Sequence, residues 1–268
     1  MLEQLIDIVR RAGSAIMDVY GTAFDVKSKS DDSPLTEADL RAHRVIVDGL
    51  VAIDATIPII SEESDAPSYS VRRTWRRYWL VDPLDGTREF VNRNGEFTVN
   101  IALIEDNEPV LGIVGAPVSG DIYIGDVAKR EAFRLVGSSR RVLTTRKLGD
   151  DGITVVASRS HGGERLESYV ERLIPIFGRV ERTAMGSSLK LCLLAEGLAD
   201  LYPRLGPTSE WDIGAAQAVL QAAGGSVFQL DGSPLLYNTK ASFLNPDFLA
   251  VGDSSLHWAE LLPPTSDI

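Results

Sequence analysis

Residues 79–90 read WLVDPLDGTREF. Trp79, Leu80 and Val81 form an apolar run that predicts the end of a buried strand. Two aspartates follow, Asp82 and Asp85, with Pro83 and Leu84 between them and Gly86-Thr87 after them. A buried carboxylate costs several kcal/mol unless a partner compensates it. Pro83 offers no N–H, and the Leu84 carbonyl is free to point inward beside the two carboxylates. Two carboxylates and a carbonyl are hard oxygen ligands, suited to Mg²⁺ or Mn²⁺ rather than zinc. Gly86 permits an unusual φ, and Thr87 opens a short helical pattern, TREFVN, whose first N–H groups suit a phosphate. The competing reading is an Asx turn in which Asp82 and Asp85 cap their own backbone. Residues 79–90 by themselves leave both readings open.

Three other stretches bear on the choice. IPIISEE ends a second apolar run in Glu62 and Glu63, SEWDIGAAQAV places Asp212 at the start of a small-residue helix, and SPLTEAD places Asp39 at another helix start. Each has a simpler explanation: a solvated glutamate, or a helix cap at the positive end of the dipole. If these acids converge with Asp82 and Asp85, like charges raise each other's pKa unless divalent cations sit among them.

Along the chain, Leu2, Leu5, Ile6, Val9, Ala12, Ile16 and Met17 recur at helical spacing among charged residues, predicting an amphipathic helix rather than a targeting segment. Thr36 is placed as the N-cap of a second helix. RRYWLV is a strand ending at the opening motif, and beyond it FTVNIALIE, PVLGIVGAPV, DIYIGDV and EAFRLV follow with turn residues between them, an antiparallel meander. After LGDDG near residue 150 the pattern changes to strands alternating with helices, an α/β layer. The expected organisation is two halves, 1–150 and 151–268, packed as one body of α+β and α/β character.

The 268 residues are 44% hydrophobic and 24% charged, with a net charge of −11, which argues against a nucleic-acid partner and requires local cations if the substrate is anionic. Cys192 is the sole cysteine, on an apolar helical stretch, so it reads as a core residue and no intrachain disulfide is possible. The 3 histidines are scattered, without zinc-site spacing. No apolar run reaches the ~18 residues of a membrane span.

DPLDGT, the preceding SEE, the upstream SPLTEAD and the downstream WDIGAA together resemble the inositol monophosphatase superfamily of Mg²⁺-dependent, lithium-sensitive phosphatases. The likeness extends over nearly the whole chain. LVDPLDGTREFVNRNGEFTVNIALI, SRSH, GSSLKLCLLAEGLADLYPRLGPTSEWD and SFLNPDF point within it to the branch of 3'(2'),5'-bisphosphate nucleotidases. The resemblance implies a layered αβαβα sandwich. It also implies two or three Mg²⁺ ions, with Mn²⁺ as a substitute, held by Glu62, Asp82, the Leu84 carbonyl, Asp85 and Asp212. Thr87, held by Asp39, would orient the attacking water with Glu62, while the N–H groups of Gly86 and Thr87 hold the phosphate. The residues themselves do not choose between Glu62 and Glu63; the resemblance selects Glu62.

A bisphosphate needs cations for its second phosphate. Lys190, Arg204 and His161 are the candidates, with Ser187 three residues before Lys190; the simpler reading leaves them solvated or paired with surface acids. The resemblance implies contacts to a nucleoside bisphosphate instead, and hydrolysis of adenosine 3',5'-bisphosphate (PAP) to AMP, with its sulfated form as a second substrate. An inositol- or sugar-phosphate monophosphatase on the same scaffold is the alternative. A monomer or homodimer in the cytoplasm is expected, with the inner membrane face as an alternative location.

Overall fold

Tyr78 and Leu80 point to one side of their strand and Trp79 and Val81 to the other, because side chains alternate along an extended backbone. Both sides are buried: each of these four residues is at most 1% exposed. The computed structural model, which describes residues 1–22, 26–28, 34–158 and 163–263, shows what covers the two faces. The first half contains α1 (Leu2–Tyr20), β1 (Val26–Ser28), β2 (Pro34–Thr36), α2 (Glu37–Ile53), β3 (Ile59–Ser61), α3 (Tyr69–Arg72), β4 (Arg77–Asp85) and α4 (Thr87–Val91). Five strands follow: β5 (Thr98–Glu105), β6 (Glu108–Ala116), β7 (Asp121–Asp126), β8 (Glu131–Val136) and β9 (Ser139–Val142). The remainder runs β10 (Ile153–Ser158), α5 (Glu164–Phe177), β11 (Val180–Met185), α6 (Leu189–Ala195), β12 (Leu201–Arg204), α7 (Glu210–Ala222), β13 (Ser226–Gln229), β14 (Phe248–Val251) and α8 (Trp258–Leu261).

Strands β3–β9 form one sheet in sequence order, with β3 parallel to β4 and the others an antiparallel meander. The second sheet has the order β11-β10-β12-β14-β13. Trp79, Val81, Val99 and Ile101 on one face of the first sheet pack with α1 and α2. Tyr78, Leu80, Ala102 and Ile104 on its other face pack with α6, α7 and one face of the second sheet. The second sheet's outer face meets α5 and Trp258 of α8. The layers are therefore α, β, α, β, α. Cys192 is buried in the central layer, where desolvation raises its thiol pKa, so it is a core residue.

Two local features depart from simple periodicity. Strand β4 continues through both aspartates, and its pairing with β5 shifts between Asp82 and Asp85. The proline cannot donate to the ladder, and Asp82 Oδ1 takes the Leu84 N–H at 3.0 Å, so a bulge replaces regular pairing. The segment GSSLK does not enter α6 until Leu189, because Ser187 has φ +48°. Among the described residues no helix is long and apolar enough to cross a membrane.

Helix α7 lies tight against the meander. A Cβ on Gly112 would sit 2.0 Å from the Ala215 carbonyl oxygen, and one on Gly125 would sit 2.4 Å from Val219 Cα. These contacts are backbone, so no side chain can yield. Gly112→Ala is expected to destabilise the protein by about 3 kcal/mol, the upper range for overpacking, and to depress activity, since α7 carries Asp212. Urea unfolding checks the first effect; an unchanged midpoint would show that α7 shifts without cost.

Candidate active site

The site is assembled where β3 and β4 end side by side. Ser61 pairs with Val81, and the Glu62 N–H donates to the Val81 carbonyl at 3.1 Å, which brings Glu62 level with Asp82. Asp82 is 1% exposed and hydrogen bonds through its side chain with Glu62. After the bulge, Gly86 takes φ +88°, a left-handed conformation that a larger residue adopts only with strain. A Cβ there would also lie 3.2 Å from the Glu96 carbonyl oxygen. Thr87 then begins α4, where the first N–H groups lack intrahelical acceptors.

Asp39 reaches this turn from α2. Its Oδ2 receives the Thr36 N–H at 2.8 Å and the Thr36 hydroxyl at 2.7 Å, completing a capping box. Its Oδ1 lies 3.5 Å from the Thr87 hydroxyl, which is also 3.3 Å from the Leu84 carbonyl oxygen. One aspartate thus serves helix and site with different oxygens.

Asp212 has the same division. In the first turn of α7 its Oδ2 receives the Thr208 hydroxyl at 2.7 Å and the Ser209 N–H at 2.8 Å. The segment carrying it is fastened from outside: Glu210 N–H donates to the Phe243 carbonyl and Asn245 N–H to the Thr208 carbonyl, both at 2.8 Å. Arg72, buried and stacked on Phe243, donates to Asn238 and to the carbonyls of Lys240 and Ala241, holding that loop closed. Asp85 gives Oδ2 to the Ser188 N–H at 2.5 Å. The second oxygens of Asp85 and Asp212 take no hydrogen bond from a described residue, and both aspartates line one cleft. Capping and a site role are therefore compatible for Asp82, Asp39 and Asp212, because a carboxylate has two oxygens to spend.

Burial is the largest cause of the pKa shifts. Desolvation raises Asp82 well above the ordinary carboxylate range, and the charges of Glu62, Asp85 and Asp212 raise it further. Asp85 is pushed up to about 8 by desolvation and the charge of Asp212, against the opposing pull of Lys190 and the Ser188 N–H. Asp212 is raised by desolvation although Thr208, Ser209, Arg204 and Lys190 oppose it. The donors fit a hard divalent cation in kind: the buried Asp82 and the part-exposed Asp85 and Asp212, each tied through one oxygen, with Glu62 and the Leu84 carbonyl. Among the described residues, no three acidic, histidine or cysteine side chains close around one metal-holding point as they stand.

The cleft, about 220 Å³, is lined by Asp85, Gly86, Thr87, Ser187, Lys190, Arg204 and Asp212, all of them candidates from the sequence. Asp39, Glu62, Asp82 and Leu84 lie outside its lining, in the supporting turn. Lys190 and Arg204 are 6% and 9% exposed, so the reading of them as solvated surface charges fails. Lys190 Nζ donates to the Ser187 carbonyl, and Arg204 to the carbonyls of Gly206 and Pro207; no described acid forms an ion pair with either. His161 lies outside the described residues. Sequence reasoning missed Tyr202, whose ring lies 5.6 Å from Lys190 Nζ. Tyr202, Arg204 and Pro207 are shared with an adjoining cavity of about 400 Å³. Its position inside YPRLG offered a signal, but strand periodicity alone assigns it to the core. Thr208, the hydroxyl partner of Asp212, was likewise visible only as a residue of TSEWD.

Residues 1–259 match the family model described as the inositol monophosphatase family. The 3'(2'),5'-bisphosphate nucleotidase CysQ of Shigella flexneri is 50% identical over 250 residues, 92% of this chain and 98% of that protein. The protein of the same name from Buchnera aphidicola is 41% identical over 257 residues, 93% of each chain. The crystal structure of CysQ from Bacteroides thetaiotaomicron superposes with a TM-score of 0.82 at 39% identity, covering 94% of this chain and 97% of that one. A Thermotoga maritima inositol monophosphatase, 22% identical with a TM-score of 0.77 over 99% of this chain and 96% of that one, shares the fold.

A carboxyl whose pKa is raised in the folded state stabilises the fold fully below its unfolded value, near ~4. That stabilisation is lost as pH rises through about 8 for Asp85. In EDTA the protein is therefore expected to lose stability from pH 4 to pH 8, and Asp85→Asn to exceed wild type in stability by clearly more at pH 8 than at pH 5. Denaturant titrations at the two pH values test this. An equal difference at both would mean that Asp85 does not carry the effect.

Proposed function

The chain belongs to the inositol monophosphatase family, and from that premise we propose that it is a 3'(2'),5'-bisphosphate nucleotidase, hydrolysing adenosine 3',5'-bisphosphate to AMP and phosphate. The observation that carries the substrate class is the pair Lys190 and Arg204, buried on the same cleft as Gly86 and Thr87 and forming no ion pair with a described acid. A monophosphate needs one anion site. A pair of buried cations beyond that site, in an acidic protein, matches a second phosphate, and the adjoining cavity beside Tyr202 leaves room for the nucleoside. The bisphosphate nucleotidases half identical to this chain support the same reading.

Each residue's work follows from its placement. The N–H groups of Gly86 and Thr87 face the scissile phosphate as donors. With the Thr87 hydroxyl donating to Asp39 Oδ1 at 3.5 Å rather than to the Leu84 carbonyl at 3.3 Å, the threonine oxygen is left as acceptor for a water aligned on the phosphorus. Glu62 takes part in orienting that water. Glu62, Asp82, the Leu84 carbonyl, Asp85 and Asp212 would hold Mg²⁺, two or three ions with Mn²⁺ as substitute. When bound, the metal neutralises the phosphate dianion and the leaving oxygen and makes water more acidic. Phosphoryl transfer asks the protein chiefly for such positioning and charge. Lys190 provides a point charge and Arg204 a planar fork for the second phosphate, with Ser187 beside them. The sulfated form of the substrate is assigned the same cleft, and the enzyme is taken to be cytoplasmic, as a monomer or homodimer.

Phosphate release from adenosine 3',5'-bisphosphate and inositol 1-phosphate, with Mg²⁺ and with EDTA, tests the reading. Mg²⁺-dependent preference for the nucleotide is expected; preference for inositol phosphate would reassign the enzyme to the monophosphatases. Removing Lys190 and Arg204 together should raise KM for the bisphosphate far more than for the monophosphate. Thr87→Ala should lower kcat by ~10²-fold with Mg²⁺ affinity largely kept; normal turnover would take Thr87 out of the mechanism.

A further inference from the structure

Ser188 is the N-cap of α6, yet its side chain makes no capping bond. An N-cap serine ordinarily gives its oxygen to an N–H of the first turn. Here the hydroxyl is turned into the meander sheet instead. Ser188 Oγ donates to Asn100 Oδ1 at 2.7 Å, the Thr98 hydroxyl meets Ser188 Oγ at 2.8 Å, and Asn100 Nδ2 donates to Thr98 Oγ1 at 3.1 Å. With the Ser188 proton committed to Asn100, Thr98 is the donor to Ser188, and the three side chains close a ring with every bond pointing the same way round. All three residues are buried, and such networks are stiff because each bond polarises the next. The backbone N–H of Ser188 meanwhile holds Asp85 Oδ2 at 2.5 Å. Ser188 therefore joins β4, β5 and α6 at one point.

Ser187, the preceding residue, is in the left-handed region at φ +48°, where side chains other than glycine are uncommon. Such a conformation persists when its neighbours over-determine it. On one side Gly186 is fixed by its N–H to Glu96 Oε2 at 2.7 Å. On the other side stands the Ser188 ring. The Ser187 hydroxyl is buried at the cleft without a hydrogen-bond partner among the described residues, and its carbonyl receives the Lys190 ammonium.

We propose that Ser188 is a positioning residue for the second phosphate: the Thr98–Asn100–Ser188 ring holds Ser187 in its left-handed conformation, and Ser187 in turn aims Lys190 into the cleft. The inference rests on the bisphosphate reading. It assigns to a buried side-chain ring at the edge of the cleft the discrimination between a ligand carrying the second phosphate and one lacking it.

The test compares wild type with Ser188→Ala, with Thr98→Val, which deletes a hydroxyl from the ring at nearly constant shape, and with Ser188→Thr, which keeps the hydroxyl. Kinetics on adenosine 3',5'-bisphosphate and 3'-AMP are combined with inhibition by 5'-AMP, which retains only the uncleaved phosphate. Thermal melts establish that each variant is folded. In Ser188→Ala and Thr98→Val, KM for the bisphosphate and the 5'-AMP inhibition constant should rise about tenfold, more than kcat falls, and KM for 3'-AMP should move much less. Ser188→Thr should restore most of the loss. A wild-type preference for the bisphosphate that survives both deletions, or a fall in kcat alone, overturns the inference while leaving the function standing. A wild-type enzyme that handles 3'-AMP as well as the bisphosphate overturns both.

Discussion

Asp212, at the start of α7, is brought beside Asp82 and Asp85 of the β4 turn, where its charge raises the proton affinity of both and that of Asp85 raises the proton affinity of Asp82. Left to itself, a chain would separate these groups, since neither hydration nor direct ion pairs repay their burial. The surrounding structure is arranged to prevent that separation. A proline-containing bulge stops β4 from pairing through the turn, the parallel partner β3 delivers Glu62, and two capping boxes pin Asp39 and Asp212 at the starts of α2 and α7. In each capped aspartate one oxygen satisfies backbone donors and the other is kept for the site. The carboxylates are thereby stable enough to stay in place and unsatisfied enough to want a cation.

That division of labour explains why the site draws on elements far apart in the chain. Helix α7 packs so closely on Gly112 and Gly125 that its first turn has little freedom, and the loop clamped by Arg72 fixes the same turn from outside. The Gly186–Lys190 segment is fastened to β4 and β5 by Asp85, Glu96, Thr98 and Asn100. The two sheets therefore meet at the site through short polar contacts as well as through the shared apolar layer of α6 and α7. Rigid placement of this kind suits phosphoryl transfer, in which positioning and charge supply most of the acceleration.

The acidic and basic sides of the cleft depend on each other. Lys190 and Arg204 oppose the raised pKa values of Asp85 and Asp212, so the cations moderate the cost of the carboxylates while forming no ion pair with a described residue. Backbone carbonyls hold them instead. A carbonyl orients a cation without neutralising it, which leaves the charge available to a phosphate.

Much of this was legible in the residues. Period-2 alternation in RYWLV and FTVNIALI marks strands, helical spacing marks α1 and α2, and Thr36 with Asp39 marks a helix start, because local sterics and hydrogen bonding act over a few positions. DPLDGT read alone stays ambiguous between an Asx turn and a metal-binding turn, and the structure shows why: Asp82 does cap its own turn, with one oxygen. The burial of Lys190 and Arg204, the place of Tyr202 in the lining of both cavities and the diversion of the Ser188 hydroxyl from its helix to Asn100 were decided by tertiary structure alone. Each depends on which atoms lie across the cleft or across the sheet, at sequence separations of 88 and 90 residues for the Ser188 contacts. Local pattern carries no information at that range, because burial and pairing are properties of the packed layers.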